Sequence, residues 1–188
     1  MIKYGFFNKQ SGPLTSRFSL KVSESDYAEN ETVLNTLIGT LVKYNQSGRL
    51  EPYLAKEFNV SDNGLIWTFN LHEDLNCQDG TPINGLTYKK SLTKQLELYS
   101  KSGSPLDFSL LEGWSAFLKN PSIGISGIVA DQQSIKFIFL KKPMDFLEIL
   151  RMPYFGFWRS ISDLDNALEN FTSSGAYQID ISKSNDRL

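Results

Sequence analysis

The sequence has one cysteine, one histidine and little net charge. Because Cys77 is the sole cysteine among 188 residues, an intramolecular disulfide is excluded. The formal net charge of −2 at pH 7 argues against nucleic acid or an anionic membrane surface as the partner. No apolar run approaches the length of a membrane span. Hydrophobic residues nevertheless make up 40% of the chain, so a packed globular core is expected.

The same scarcity limits metal and catalytic chemistry. One cluster could be drawn as a metal site, and it comprises His72, Glu73, Asp74, Cys77 and Asp79. Its spacing fits no zinc pattern, and we interpret it as a solvated strand end followed by a turn. A single histidine leaves little room for a catalytic triad, and no glycine-rich phosphate loop is present. The sequence therefore predicts a protein that is not an enzyme and has no metal site and no cofactor.

What the sequence does contain is a strongly patterned stretch over residues 50–82. Two apolar strands are predicted there, Phe58–Val60 and Leu65–Leu71, with the turn residues Ser61–Gly64 between them. Apolar and polar side chains alternate in the second strand, which is the pattern of a half-buried strand. Asp-Asn-Gly is a sequence that accommodates tight turns. The stretch therefore predicts an antiparallel hairpin with one buried face.

Further elements are predicted on both sides of this hairpin. Apolar residues at helical spacing predict one amphipathic helix over residues 33–41 and another over Gly85–Tyr99. A second hairpin is predicted from Ile128–Val129 and Ile135–Leu140, and a short helix from Pro143–Leu150.

An aromatic cluster follows the last predicted helix, and its members are Tyr154, Phe155, Phe157 and Trp158. The four rings are too closely spaced for all of them to be buried in one extended segment. We expect some of them to line a cleft or an exposed apolar surface.

The central stretch also resembles a family signature. The matching segments are Leu50-Glu51-Pro52, Leu54-Ala55, Val60–Leu65, Trp67-Thr68-Phe69 and Asp79–Pro82. In this order and spacing they are similar to the signature of the family-5 extracellular solute-binding proteins, the oligopeptide- and dipeptide-binding receptors of ABC importers. The later segments Gly127–Pro143 and Ser173–Ile179 resemble the same family. The resemblance covers nearly all of the chain but only the first part of the family's fold.

This resemblance implies a mixed α/β fold, namely the first lobe of a two-lobed periplasmic binding protein with an inserted α+β subdomain. Residues 1–43 would begin the main lobe, residues 44–170 would form the inserted subdomain, and residues 171–188 would return to the main lobe. The second lobe is expected to be absent from this chain.

The function that the resemblance implies is capture of a short peptide or another small solute by lobe closure, for delivery to the membrane permease of an ABC importer. The expected location is the periplasm or the extracellular face of the membrane, with a signal sequence that this chain does not contain. Two alternatives stay open. One is a ligand-sensing module of the same fold in a non-transport regulator. The other is a different solute, such as a nickel complex or an oligosaccharide.

The resemblance also implies six ligand-binding residues, which are Asp26, Tyr27, Ala28, Phe108, Ser174 and Gly175. The first three lie in a polar loop ahead of a helix, where free backbone groups can bind an extended peptide. Alternatives remain for all six: an ordinary surface loop for the first three, core packing for the phenylalanine and a plain turn for the last two.

Overall fold

The structure is a computed structural model, and it describes residues 34–101, 108–159 and 172–177. The strands are β1 (Val42–Tyr44), β2 (Leu50–Pro52), β3 (Ala55–Val60), β4 (Ile66–Leu71), β5 (Ile128–Ala130) and β6 (Ser134–Ile138), and the helices are α1 (Gly85–Lys101), α2 (Trp114–Lys119) and α3 (Phe146–Leu150). Short 3-10 turns occupy Pro121–Ile123 and Pro153–Phe155. Most of the expected start of the main lobe, residues 1–33, and the segment after Tyr177 lie outside the described residues.

The predicted central hairpin is confirmed as β3 and β4. Gly64 has a φ of 72°, and its N–H donates to the carbonyl of Ser61 at 2.7 Å. The left-handed conformation at this position is the one that glycine adopts without a Cβ clash. β3 begins at Ala55 rather than at the predicted Phe58, because Ala55 pairs with Leu71 across a bulge that the alternation of side chains does not reveal.

The second hairpin, β5 and β6, joins the first through β6. The result is a four-stranded antiparallel sheet in the order β3-β4-β6-β5. In this pairing Trp67 lies opposite Phe137 and Phe69 lies opposite Ile135. The central β4 strand is therefore paired on both sides, and its Phe69 side chain is fully buried.

Helix α1 covers the core through one face, on which Tyr88, Leu92 and Leu96 are buried. Its start is fixed by a reciprocal pair of hydrogen bonds. The side chain of Asn84 accepts from the Thr87 N–H at 2.9 Å, and the Thr87 hydroxyl accepts from the Asn84 N–H at 2.9 Å. This is the geometry of a capping box, with threonine in the place usually taken by glutamate.

The helix predicted over residues 33–41 ends earlier than the apolar stripe suggests. Residues 34–37 are helical, and the chain then bends at Ile38. Beyond this bend the backbone forms hydrogen bonds with a different part of the chain. The carbonyl of Thr40 accepts from the Leu54 N–H at 3.0 Å, and that of Leu41 accepts from the Tyr53 N–H at 2.9 Å. Tertiary hydrogen bonds therefore replace the last helical turn, while the apolar side chains remain buried.

Three of the four rings of the aromatic cluster are buried, so Tyr154 is the one member left for the expected cleft or exposed apolar surface. Phe155, Phe157 and Trp158 are all buried, and Tyr154 is half-buried. The segment is not extended, because the 3-10 turn over Pro153–Phe155 sends successive rings in different directions. The indole N–H of Trp158 donates to the carbonyl of Pro153 at 2.9 Å, so the buried ring keeps a hydrogen-bond partner.

The described strands are all antiparallel, and β1 and β2 form a separate two-stranded sheet. Within the described ranges, no helix has the length and apolarity needed to cross a bilayer. The domain boundaries at residues 43–44 and 170–171 stay a prediction.

Candidate ligand-binding site

Three distant segments of the chain meet at one place, which we call the junction: residues 36–40, 156–158 and 172–177. The N–H of Phe157 donates to the carbonyl of Gly39 at 2.7 Å. The N–H groups of Ser174 and Gly175 both donate to the carbonyl of Leu37, at 3.1 and 2.9 Å. Backbone hydrogen bonds therefore hold the 172–177 segment against the chain that precedes β1.

Ser174, a predicted ligand contact, ties all three segments together through its hydroxyl. The Oγ atom accepts from the Gly39 N–H at 2.9 Å and donates to the carbonyl of Phe157 at 2.6 Å. Its side chain is buried, with 6% of the residue surface exposed. Since a hydroxyl has a single proton to donate, the donor capacity of Ser174 is used within the protein.

Gly175 is packed against backbone rather than open space. A Cβ atom at this position would lie 2.6 Å from the carbonyl oxygen of Thr36 and 2.8 Å from the carbonyl carbon of Leu37. The preceding Ser173 also contacts this segment, since its hydroxyl donates to the carbonyl of Leu37 at 2.6 Å. The Ser-Ser-Gly sequence therefore allows the close approach of two chain segments.

Phe108 lies in the aromatic core with 7% of its surface exposed. Its ring centroid is 5.4 Å from that of Trp114, 5.4 Å from that of Phe155 and 6.4 Å from that of Tyr99. These are core-packing contacts, which is the alternative considered for this residue. Asp26, Tyr27 and Ala28 lie outside the described residues. The ligand roles of all six residues stay predictions.

A cleft of about 310 Å³ opens beside the junction. It is lined by Asn35, Thr36, Thr40, Lys43, Tyr44, Tyr53, Arg151, Ala176 and Tyr177. The lining residues come from four stretches of the chain, namely residues 35–44, 53, 151 and 176–177. Sequence reasoning missed this cleft, because no local pattern connects residues that only the fold brings together.

Two cation–aromatic pairs line the cleft. The Lys43 ammonium lies 4.5 Å from the ring centroid of Tyr53, and the Arg151 guanidinium lies 4.9 Å from that of Tyr44. Glu148 connects the second pair, since it accepts from the Tyr44 hydroxyl at 2.7 Å and from Arg151 Nε at 2.9 Å. Lys43 is also paired with Glu51 at 3.9 Å, so each cation of the cleft has a glutamate partner. The cleft therefore presents hydroxyl groups and aromatic faces beside two ion pairs.

These contacts fix the protonation states at neutral pH. The hydrogen bond from Tyr44, followed by that from Arg151, lowers the pKa of Glu148. The hydrogen bond to Glu148 raises the pKa of Tyr44, and burial raises the pKa of Tyr53. Both phenols are therefore neutral, and the carboxylate is charged. This surface therefore offers neutral hydroxyl groups as hydrogen-bond donors and acceptors.

Within ranges 34–101, 108–159 and 172–177, no three His, Cys, Asp or Glu side chains converge on a common point. His72 is exposed, whereas Cys77 is buried. Burial, followed by the nearby charge of Asp79, raises the pKa of the Cys77 thiol to about 11, so the thiol is neutral at physiological pH.

Comparison with known proteins places this chain in a family. The model of the bacterial extracellular solute-binding proteins, family 5 middle, matches residues 49–188. The chain belongs to this family. The family assignment expected from the signature at residues 50–82 is thereby confirmed.

Solved structures similar to this family-5 chain are peptide-binding proteins by name. A periplasmic oligopeptide-binding protein from Borrelia burgdorferi has a TM-score of 0.69 at 21% identity, covering 85% of this chain and 34% of that chain. The murein tripeptide-binding protein of Escherichia coli has a TM-score of 0.70 at 21% identity, covering 86% and 33%. At this identity the likeness concerns the fold, and it confirms the mixed α/β fold of a periplasmic binding protein.

One curated relative is named for a different ligand. The nickel-binding periplasmic protein of Escherichia coli K12 is 34% identical over 59 residues, which are 31% of this chain and 11% of the relative. The family-5 chain therefore spans about a third of the length of the solved structures named above, and its match to the nickel-binding protein is shorter still.

Proposed function

We propose that this chain is part of a solute-binding protein that captures short peptides for an ABC importer. One observation carries the proposal: the family-5 match over residues 49–188, in a fold shared with two proteins whose names specify peptides as ligands. The protein would act in the periplasm or at the extracellular face of the membrane, and it would deliver its ligand to a membrane permease.

The architecture suits one of the two lobes of such a receptor. The aromatic core and the junction give a rigid body, and the cleft offers hydrogen-bonding groups at its surface. Hinge closure of a second lobe over this body would enclose the ligand. Contacts from peptide backbone to protein backbone would supply affinity with little dependence on peptide sequence. We expect Asp26, Tyr27 and Ala28 to provide such contacts.

The chemistry of the described residues supports binding without turnover. The charged carboxylate of Glu148 is occupied by Tyr44 and Arg151, and the buried thiol of Cys77 is neutral. Neither group is arranged as a nucleophile beside a general base. We therefore propose a receptor and not a peptide hydrolase.

A nickel complex is the second candidate ligand, because the short match to the nickel-binding relative favours it. Its recognition would depend on groups other than a cluster of protein carboxylates, histidines and thiols among the described residues.

Titration calorimetry of the complete natural protein tests the proposal. Alanine di- to pentapeptides should bind with saturable heat, whereas free alanine, used as the matched control, should not. Nickel chloride, with and without free histidine, tests the second candidate, and maltotriose tests an oligosaccharide. Saturable binding of nickel or maltotriose in the absence of peptide binding would contradict peptide capture while retaining a solute receptor.

A further inference from the structure

The loop at residues 77–81 carries the Asp-Gly-Thr part of the family signature, and its aspartate makes contacts within the protein. Asp79 Oδ1 accepts from the Thr81 N–H at 3.0 Å, which closes the turn. The other carboxylate oxygen, Oδ2, forms an ion pair with Arg159 Nε at 2.9 Å. One side chain therefore shapes the loop and attaches it to a residue that is distant in the sequence.

The loop is attached to the 172–177 segment as well. The Gln78 N–H donates to the carbonyl of Ser173 at 3.1 Å, and Arg159 Nη1 donates to the hydroxyl of Thr172 at 2.9 Å. Arg159 thus bridges the signature loop and the start of this segment. Two residues beyond Thr172 lies Ser174, whose hydroxyl ties the junction together.

We propose that the loop at residues 77–81 and Arg159 form a latch that positions the 172–177 segment at the junction. The signature aspartate is then a positioning residue, because it acts on the 172–177 segment through Arg159. The consequence for ligand affinity rests on the proposed function, since this segment borders the cleft through Ala176 and Tyr177.

The latch differs from the junction in its access to water. The side chains of Arg159 and Asp79 are 42% and 33% exposed, whereas Ser174 is buried. Solvated ion pairs are weak and open readily, whereas buried hydrogen bonds do so rarely. The latch is therefore expected to open in local fluctuations that leave the aromatic core folded.

Cys77 provides a built-in probe of this opening. Its thiol is buried at one end of the latch loop, and its N–H donates to the carbonyl of Thr81 at 2.8 Å. Because the chain contains no other cysteine, the rate of reaction with a thiol reagent reports this single position. Opening of the loop exposes the thiol and allows reaction.

The experiment measures the labelling rate of Cys77 by dithionitrobenzoate in the native 188-residue chain. Arg159→Gln removes the ion pair, and Asp79→Asn removes its charge while keeping an oxygen for the Thr81 N–H. Each should raise the labelling rate roughly two- to fivefold, as expected for a partly exposed ion pair. The charge of Asp79 raises the pKa of Cys77 and that of Arg159 lowers it, so an increase in both variants reports opening and not a change in thiolate content. The double variant should label no faster than Arg159→Gln alone, because that substitution already removes the ion pair with Asp79.

Two further variants separate latch opening from general loosening. Lys101→Gln breaks the exposed ion pair with Glu97 at 2.7 Å on helix α1 and should leave the labelling rate unchanged. Arg159→Lys should restore most of the slow labelling. Hydrogen exchange at the Gly175 and Tyr177 amides should accelerate in Arg159→Gln, while the global free energy of unfolding changes little. Wild-type labelling and exchange in Arg159→Gln, or an equal increase in Lys101→Gln, would overturn the latch.

Binding of alanine di- to pentapeptides to the complete natural protein tests the positioning role. If the wild-type protein binds them, Arg159→Gln should bind more weakly and Arg159→Lys should recover the affinity. Unchanged affinity in Arg159→Gln, despite faster labelling, would overturn positioning. If neither protein binds peptide but labelling still accelerates, the latch stands and the proposed function fails.

Discussion

At the scale of single residues, the serine-glycine pair at positions 174 and 175 could be recognised as a family motif, but its contacts in the fold could not be predicted. The resemblance selects Ser174 and Gly175 as ligand contacts. The structure places the hydroxyl between Gly39 and Phe157 and places the glycine against the backbone of Thr36. The contacts to Gly39 and Thr36 join residues that lie far apart in the chain, which a local sequence pattern does not reveal.

Replacing Ser174 with alanine should destabilise the chain. The change leaves the Gly39 N–H and the Phe157 carbonyl without this buried partner, which costs about 1–3 kcal/mol. Urea unfolding measures the loss. Ser122→Ala, at an exposed site, is the matched control and should change stability by less than about 0.5 kcal/mol. Equal stabilities for the two variants would contradict the junction described above.

Cys77 gives a pH dependence with a definite sign. Its pKa rises from an ordinary 9.0 to about 11 on folding, because the buried thiolate is disfavoured. The neutral thiol stabilises the fold fully below pH 9, and this contribution is lost as the pH rises from 9 towards 11. Urea unfolding at about pH 8 and about pH 10.5 should show a larger loss in the wild type than in Cys77→Ala, by on the order of 1 kcal/mol. Parallel losses in both proteins would contradict the raised pKa.

At the scale of elements, the two hairpins were predictable from the sequence, but the strand pairing that joins them into one sheet was not. Alternation of side chains and the turn at Gly64 are local signals, so β3–β4 and β5–β6 follow from short windows of sequence. The pairing of β4 with β6 depends on side chains that meet only in the folded core, such as Phe69 and Phe137. The burial of Phe155, Phe157 and Trp158 was also not predictable from sequence. The 3-10 turn over Pro153–Phe155 is too short to produce a periodic pattern of apolar residues.

The short helix α3 docks on the sheet mainly through one ring. Phe146 lies 4.7 Å from Phe139 and 4.9 Å from Phe137 between ring centroids, with Trp67 at 5.6 Å. Phe146→Ala should therefore cost about 3–5 kcal/mol in the free energy of unfolding. Met144→Ala is the control two residues away, because that side chain is 94% exposed and its loss should cost less than about 0.5 kcal/mol. A small effect at Phe146 would show that another contact holds the helix.

At the scale of the whole molecule, the family and the fold were predictable and the cleft was not. The signature positions between Leu50 and Pro82 follow one another along the chain, so their order and spacing alone identify family 5. The residues that line the cleft are spread along the chain between Asn35 and Tyr177. Contacts among them, such as that of the Lys43 ammonium with the Tyr53 ring, form only in the folded protein.

The 188-residue chain by itself should bind peptides weakly or not at all. It spans about a third of the length of its structural relatives, and enclosure of a ligand by two lobes requires surfaces from both. Calorimetry with alanine peptides should detect no affinity in the micromolar range or better for this chain. A micromolar or tighter complex would show that one lobe is sufficient for binding.

The most direct test of peptide capture is native mass spectrometry of the complete protein, purified from its own cells without denaturation. A closed receptor retains its ligand, so we predict a ladder of adducts whose masses correspond to short peptides of varied sequence. One discrete adduct with the mass of a metal complex or a sugar would contradict peptide capture. A ligand-free protein that also fails to take up added peptides would likewise contradict peptide capture.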